Sequence, residues 1–167
     1  MASRRKGRIL AFQALYAWES RRAIESQGMQ MQPQLHSQTH SHSQKPASVP
    51  LEEFLRFSWL EAEKLAAMDE ATLGFSRLLI TGTIENLKAI DATIKNHLEN
   101  WDLSRLNRVD LAILRMSVYA LMFQDMAPSI IINEAIGISR EFGTDESYRF
   151  VNGVLDSIRK TLGAEKP

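Results

Sequence analysis

The sequence predicts an all-α protein of six or seven helices that pack as two helical subdomains. Apolar residues recur at helical spacing in most segments, as at Val109, Ala112, Ile113 and Met116. The one run of β-branched residues, 130–132, is followed by Asn-Glu-Ala, which continues a helical period. With 44% apolar residues in a chain of 167, the protein can bury a full core.

The first half of the chain predicts two helices separated by a long loop. The first helix covers about residues 3–20. Residues 26–50 are rich in Gln, Ser and His and contain three prolines. Such a segment buries too little apolar area to offset its ordering entropy, so we expect a mobile loop. After Pro50 the helical period returns and ends near Met68.

The second half predicts a long helix and then a C-terminal bundle. Asp69 is a good N-cap for the long helix, which runs to about Leu98 and has two glycines as weak points. A joint with Asp102 or Ser104 as its cap then leads to a strongly apolar helix. The apolar helix runs to about residue 124, and Pro128 stops it. The next helix covers 129–142 and is ended by Gly143. Thr144 or Asp145 caps a last helix that runs to about Leu162.

These elements predict a division of the chain into three parts. Residues 1–25 and 51–68 form an N-terminal helical subdomain that carries a basic arm. Residues 26–50 form the loop, and residues 69–167 form the long helix and the bundle.

Charge is concentrated at the start of the chain. Residues 1–22 hold six basic side chains and one acidic side chain, a net charge of +5, although the whole chain is neutral. Four of the six form what we call the basic arm: Arg4, Arg5, Lys6 and Arg8. Cations are unfavourable at a helix N-terminus, so the arm does not serve helix stability. An anionic partner is the better explanation.

The spacing of the arm favours single-stranded RNA as that partner. Arg4, Arg8, Phe12 and Tyr16 fall in one i, i+4 row. Phosphate contacts and base stacking on one helix face are what single-stranded RNA requires. Three other interpretations stay open: a solvated terminus, an organelle transit peptide, and a helix lying on a membrane surface.

The sequence contains little that indicates catalysis or metal binding. It has no cysteine, no glycine-rich phosphate loop, no nucleophile elbow and no His-Glu-x-x-His motif. His36, His40 and His42 lie in the polar loop with no carboxylate nearby, so we predict no metal site and no cofactor. No apolar run approaches the length of a membrane span, and we expect a soluble, cytoplasmic protein that is not an enzyme.

Several polar residues lie inside apolar runs and have a structural interpretation. Arg115 and Glu134 are expected to pair with each other inside the bundle, because a buried charge needs a partner. Asn133 is expected to bond to backbone at a joint, and Gly153 to allow close helix approach. Two locations stay open for Asn152 and its neighbours Tyr148, Arg149 and Phe150: the core, or a surface that binds a ligand.

Taken in order, these segments resemble the NusB family of transcription antitermination factors. The segments that carry the resemblance are RRKGR at 4–8, AFQALYAW at 11–18, VDLAILR at 109–115, INEAI at 132–136 and FGTDESYRFVNGVL at 142–155. The last is specific, whereas the first alone is weak. Residues 26–50 are longer and more polar than the usual connection in that family, and Gly7 departs from the pattern within the basic arm.

The resemblance implies an all-helical fold and a role without catalysis. It implies that the protein pairs with ribosomal protein NusE, and that the pair holds boxA RNA for the RNA polymerase antitermination complex on ribosomal RNA operons. NusE would bind around residues 101–124 and, less securely, 129–142. The RNA face implied by matching positions comprises Arg4, Arg5, Lys6, Arg8, Gln13, Tyr16 and the stretch 146–150, with Glu146, Arg149 and Phe150 as its main members.

Two alternatives to this function remain. A NusB-like domain also occurs at the N-terminus of some ribosomal RNA cytosine methyltransferases, although no cofactor-binding βαβ pattern follows here. The other alternative is a helical DNA-binding or scaffold protein.

Overall fold

The fold is all-α, as the apolar periods predict. The computed structural model describes residues 2–30, 50–100 and 102–164, and these contain eight α-helices, one 3-10 turn and no strand. The α-helices are α1 (Ala2–Gln30), α2 (Leu51–Leu55), α3 (Ala62–Ala66), α4 (Glu70–Glu85), α5 (Leu87–Asn96), α6 (Arg108–Phe123), α7 (Pro128–Phe142) and α8 (Ser147–Ala164), with the 3-10 turn at Leu103–Arg105. Most of the predicted loop, including its three histidines, lies outside the described residues.

Helix α1 packs across both α4 and α6, and its apolar side joins the single continuous core. Helix α1, from the predicted N-terminal subdomain, therefore packs mainly on two helices that lie beyond the division expected near residue 68, and that division stays a prediction. α1 and α4 approach closely at Gly7, where an added Cβ would lie 2.8 Å from the Phe75 ring. Ser76 Oγ donates a hydrogen bond to the Gly7 carbonyl over 2.9 Å. Gly7 is thus a helix-crossing residue and does not interrupt α1.

Two of the predicted helices are each divided in two. The segment after Pro50 forms α2 and α3, because Phe57 adopts a left-handed backbone with φ of 54° and buries its ring completely. The predicted long helix after Asp69 breaks at Asn86, whose side-chain amide donates to the Gly82 carbonyl over 2.8 Å. These two breaks explain why the described chain has more helices than predicted.

Several helix ends follow the predicted chemistry. The Asp69 carboxylate accepts from both the backbone N–H and the hydroxyl of Thr72 over 2.8 Å, and these bonds lower the pKa of Asp69. Asp102 caps the 3-10 turn, and Pro128 opens α7 at its first turn. The last helix is the exception, because it begins at Ser147, beyond the predicted caps.

The predicted pair between Arg115 and Glu134 is wrong. Arg115 is buried on α6, but it makes two hydrogen bonds of 2.8 and 2.9 Å to Asp91 of α5 and one of 2.8 Å to Glu19 of α1. Burial opposes the charged form, yet the hydrogen bonds and charges of Asp91 and Glu19 outweigh it and raise the pKa of Arg115. Arg115 therefore ties three helices together, while Glu134 pairs with Arg5.

Two other structural expectations fail, and one open alternative is decided. Gly153 is exposed on α8 and has no atom within 4 Å of an added Cβ, so no helix approaches it closely. Asn133 is exposed within α7 rather than holding a joint, and Asn152 is exposed on α8, which excludes its core alternative. All three lie on the solvent side of their helices, because the core is filled by the apolar residues next to them.

Candidate nucleic-acid interface

The basic arm forms the first turns of α1, but its four members have different environments. Arg4 and Lys6 are exposed, and the Arg5 side chain is 40% exposed. The Arg4 guanidinium lies 4.7 Å from the centroid of the Phe75 ring on α4, a cation–π contact. These three side chains are placed to meet an anion from solvent.

Arg8 does not share that exposure, which corrects its expected place on the RNA face. It retains 7% of its accessible surface, and its Nη2 donates to the Met126 sulfur over 2.9 Å. Burial lowers the pKa of Arg8, while the nearby charge of Glu134 opposes that shift. Since i, i+4 spacing places Arg4 and Arg8 on one face, that face is exposed at Arg4 and covered one turn later.

Arg5 lies over α7 and is held there by two carboxylates. Its guanidinium nitrogens are 3.4 Å from Glu134 Oε2 and 3.1 Å from Glu141 Oε2. The guanidinium can rest on this helix because residue 137 is glycine, where an added Cβ would lie 2.8 Å from Arg5 Nη1. The interaction orients Arg5 but leaves it accessible.

Further along α1, the two predicted aromatic positions separate into core and surface. Phe12 is buried, and its ring centroid lies 5.2 Å from that of Phe142 at the end of α7. Tyr16 keeps 40% of its surface exposed, with its ring centroid 6.5 Å from Phe12. Gln13 is half-buried on the same helix. Tyr16 is therefore the aromatic residue of this row that a base can reach.

The start of α8 adds a second charged and aromatic group. Glu146 and Arg149 are exposed, with 3.7 Å between their charged atoms, and Phe150 is half-buried against the core. The Arg149 Nε donates to the Tyr148 hydroxyl over 3.1 Å. The guanidinium of Arg140, from α7, lies 4.5 Å from the Tyr148 ring centroid.

The three helix segments are connected by direct contacts. Arg5 reaches Glu141, Phe142 packs on Phe12, and Arg140 covers Tyr148. The N-terminal half of α1, the end of α7 and the start of α8 thus share one region of the surface. Exposed guanidinium groups and aromatic rings lie together there, which suits phosphate contact and base stacking.

Sequence reasoning missed Arg140 and the residues that cover Arg8. Arg140 stands two residues before the Phe-Gly that opens the last quoted motif, so its position at the end of α7 was an available signal. Nothing in the sequence pattern pairs Arg8 with Phe75 or Met126, because both contacts join segments far apart in the chain.

Comparison with known proteins identifies the family. The model of the NusB family matches residues 5–160, which is nearly the whole chain. The chain belongs to the NusB family. It is 44% identical to the transcription antitermination protein NusB of Treponema pallidum (strain Nichols) over 159 residues, covering 95% of this chain and 93% of that one. It is 43% identical to the NusB of Treponema denticola, covering 93% and 95% of the two chains.

Solved structures of NusB proteins share the fold. A structure of T. maritima NusB superposes with a TM-score of 0.71 at 32% identity, covering 94% of this chain and 90% of that one. A complex of the antitermination factors NusB and NusE with double-stranded RNA superposes with a TM-score of 0.69, covering 96% and 98% of the chains. At 22% identity, the second match shows the fold alone.

Proposed function

We propose that this protein is an RNA-binding transcription antitermination factor that acts without catalysis. It would bind boxA RNA of ribosomal RNA operons as a single strand, together with ribosomal protein NusE. The observation that carries the proposal is the 44% identity to an antitermination protein over 95% of the chain. The family match over residues 5–160 includes α1 from Arg5 onward, the end of α7 and the start of α8.

The geometry of the interface supports RNA as the ligand. Arg4, Arg5 and Lys6 are accessible at the start of α1, and Tyr16 presents an exposed ring farther along the same helix. Arg149 adds a further exposed cation at the start of α8. Cations that contact phosphates, together with a ring that can stack on a base, are the two components of single-strand recognition.

A second surface suits a protein partner. Phe123 at the end of α6 and Ile130 in the first turn of α7 are both 49% exposed. They lie at the junction of the two segments onto which the family resemblance places NusE. We therefore propose this junction as part of the NusE contact. The protein would act within the RNA polymerase antitermination complex, and therefore in the cytoplasm.

A filter-binding titration tests the proposal against its alternatives. The ligands are a boxA single strand, its DNA analogue, double-stranded RNA and duplex DNA, each with and without purified NusE. We expect the tightest binding for the RNA single strand and a further gain in affinity when NusE is present. Equal binding to duplex DNA would favour a DNA-binding protein, and absence of nucleic-acid binding would favour a scaffold.

The described residues of this chain contain no helix long and apolar enough to cross a membrane.

A further inference from the structure

A cleft of about 510 Å³ opens beside Arg4, on the α4 side of α1. Its volume falls within the range of small-molecule sites. Phe75 and Leu78 of α4 form one wall, and the chain between α6 and α7 forms another. The lining residues are Arg4, Ala71, Thr72, Gly74, Phe75, Leu78, Gln124, Asp125 and Met126.

The cleft combines apolar surface with a buried polar atom that has no hydrogen-bond partner among the described residues. Leu78 is 52% exposed, and the Phe75 ring carries the Arg4 guanidinium at 4.7 Å. The side-chain oxygen of Gln124 is buried and accepts no hydrogen bond from any described residue. A buried acceptor without a donor is unfavourable, so a ligand that donates to this oxygen gains affinity by satisfying it.

We propose that this cleft binds one unstacked nucleobase that carries an exocyclic amino group. The base would belong to a single RNA strand whose phosphates lie on Arg4 and its neighbours in the basic arm. Its ring would lie against Leu78 and the Phe75–Arg4 pair, and its amino group would donate to Gln124 after a rotation of that side chain. The carboxylate of Asp125 offers a second acceptor.

The position of the cleft beside the basic arm favours a nucleobase over a protein side chain as its occupant. Arg4 is shared by the cleft and the basic arm, so a strand held by the arm passes directly over the opening. The inference rests on the proposed function, because it extends the RNA path from α1 onto α4 and the chain between α6 and α7. It assigns to the RNA interface residues that lie outside the segments carrying the family resemblance.

The test fills the cleft and follows the base directly. Ala71→Phe places a ring in the cleft, and Ala92→Phe makes the same change at an exposed position on α5. Gly74→Leu is a second filling variant, since an added Cβ at Gly74 meets open space. The probe is a boxA single strand with 2-aminopurine placed at one position at a time, read by its fluorescence and by binding affinity.

We expect one 2-aminopurine position to change its fluorescence with the parent protein and with Ala92→Phe. Ala71→Phe and Gly74→Leu should abolish that change and weaken binding by about fivefold to a hundredfold, the range for loss of one stacked base. Replacing that base by uracil should weaken parent binding by about twofold to tenfold, through loss of one hydrogen bond. Gln124→Met should remove this preference.

Three results overturn the inference, and they are distinguishable. If the parent binds RNA and both filling variants bind it as Ala92→Phe does, the cleft holds no base and the proposed function stands. If the parent binds no RNA, the proposed function fails and the inference fails with it. Loss of NusE binding alone in the filling variants would also overturn the inference, because the cleft would then serve a protein partner.

Discussion

Single residues in the basic arm show how far side chains with the same charge can differ in role. Arg4 and Arg8 are one helical turn apart, yet Arg4 is exposed and Arg8 is buried against Met126. Both lie close to the Phe75 ring, at 4.7 and 5.3 Å. Arg8 therefore belongs to the packing between α1 and α4, and contact with RNA is left to the exposed members of the arm.

Tyr16 gives a direct test of base stacking. Stacking is worth about 1–3 kcal/mol per base, so Tyr16→Ala should weaken boxA RNA binding roughly fivefold to a hundredfold in a filter-binding titration. Tyr16→Phe should retain most of the affinity, because the ring remains. Ile24→Ala, at another exposed position on α1, is the control. Parent-like RNA affinity in a folded Tyr16→Ala protein would mean that the RNA lies elsewhere.

The ion pairs of Arg115 and Glu134 predict unequal losses of stability. Arg115→Ala leaves Asp91 and Glu19 without their shared partner in the core and should lower the free energy of unfolding by about 3–5 kcal/mol. Glu134→Ala breaks a longer, partly exposed contact with Arg5 and should cost about 1 kcal/mol or less. Urea denaturation measures both. Equal losses would show that the Arg115 network is not the main ionic contact of the core.

At the scale of elements, the close approach of α4 to α6 predicts that two glycines respond in opposite directions. An added Cβ at Gly82 would lie 2.1 Å from the Tyr119 ring, so Gly82→Ala should destabilise the protein by about 1–3 kcal/mol. Gly74→Ala, in the same helix, meets no atom within 4 Å and should stabilise it by up to about 1 kcal/mol. Thermal unfolding of the two variants measures both effects, and a Gly82→Ala protein as stable as the parent would argue against the packing of α4 on α6.

The sequence predicts elements well where the signal is local. Asp69 and Pro128 begin helices as expected, because a cap or a proline acts on its own first turn. The break at Asn86 was not predicted, since the apolar period continues through it and only an amide bond to the Gly82 carbonyl marks it. Helix α1 also continues to Gln30, where contacts between Arg21 and α2 support its later turns.

The candidate site was predictable in its composition and not in its geometry. Tyr16 and Arg149 are exposed, since a hydroxyl and a charge favour the surface, and their contact with RNA stays a prediction. The partners of Arg115 and Arg5 were not predictable, since each joins helices that are distant in sequence and several carboxylates were equally plausible. Pairing across helices depends on how the elements pack, which local patterns do not specify.

At the scale of the whole molecule, the charge distribution matters more than its sum. The chain is neutral overall, but the first 22 residues carry +5. Because the whole chain carries no net charge, the salt dependence of RNA affinity should come from the few cations that contact phosphates at this end. With Arg8 buried, three members of the arm remain to contact phosphates.

The salt dependence of RNA affinity tests this account most directly. Three phosphate contacts by the arm contribute about −2 to the slope of log affinity against log salt, at roughly −0.7 per contact on a single strand. The double variant of Arg4→Ala with Arg5→Ala should flatten the slope by about 1.4. The control is Arg159→Ala with Lys160→Ala, which removes the same charge from the end of α8 and should keep the parent slope. A slope unchanged by loss of Arg4 and Arg5 would contradict the assignment of RNA binding to the basic arm.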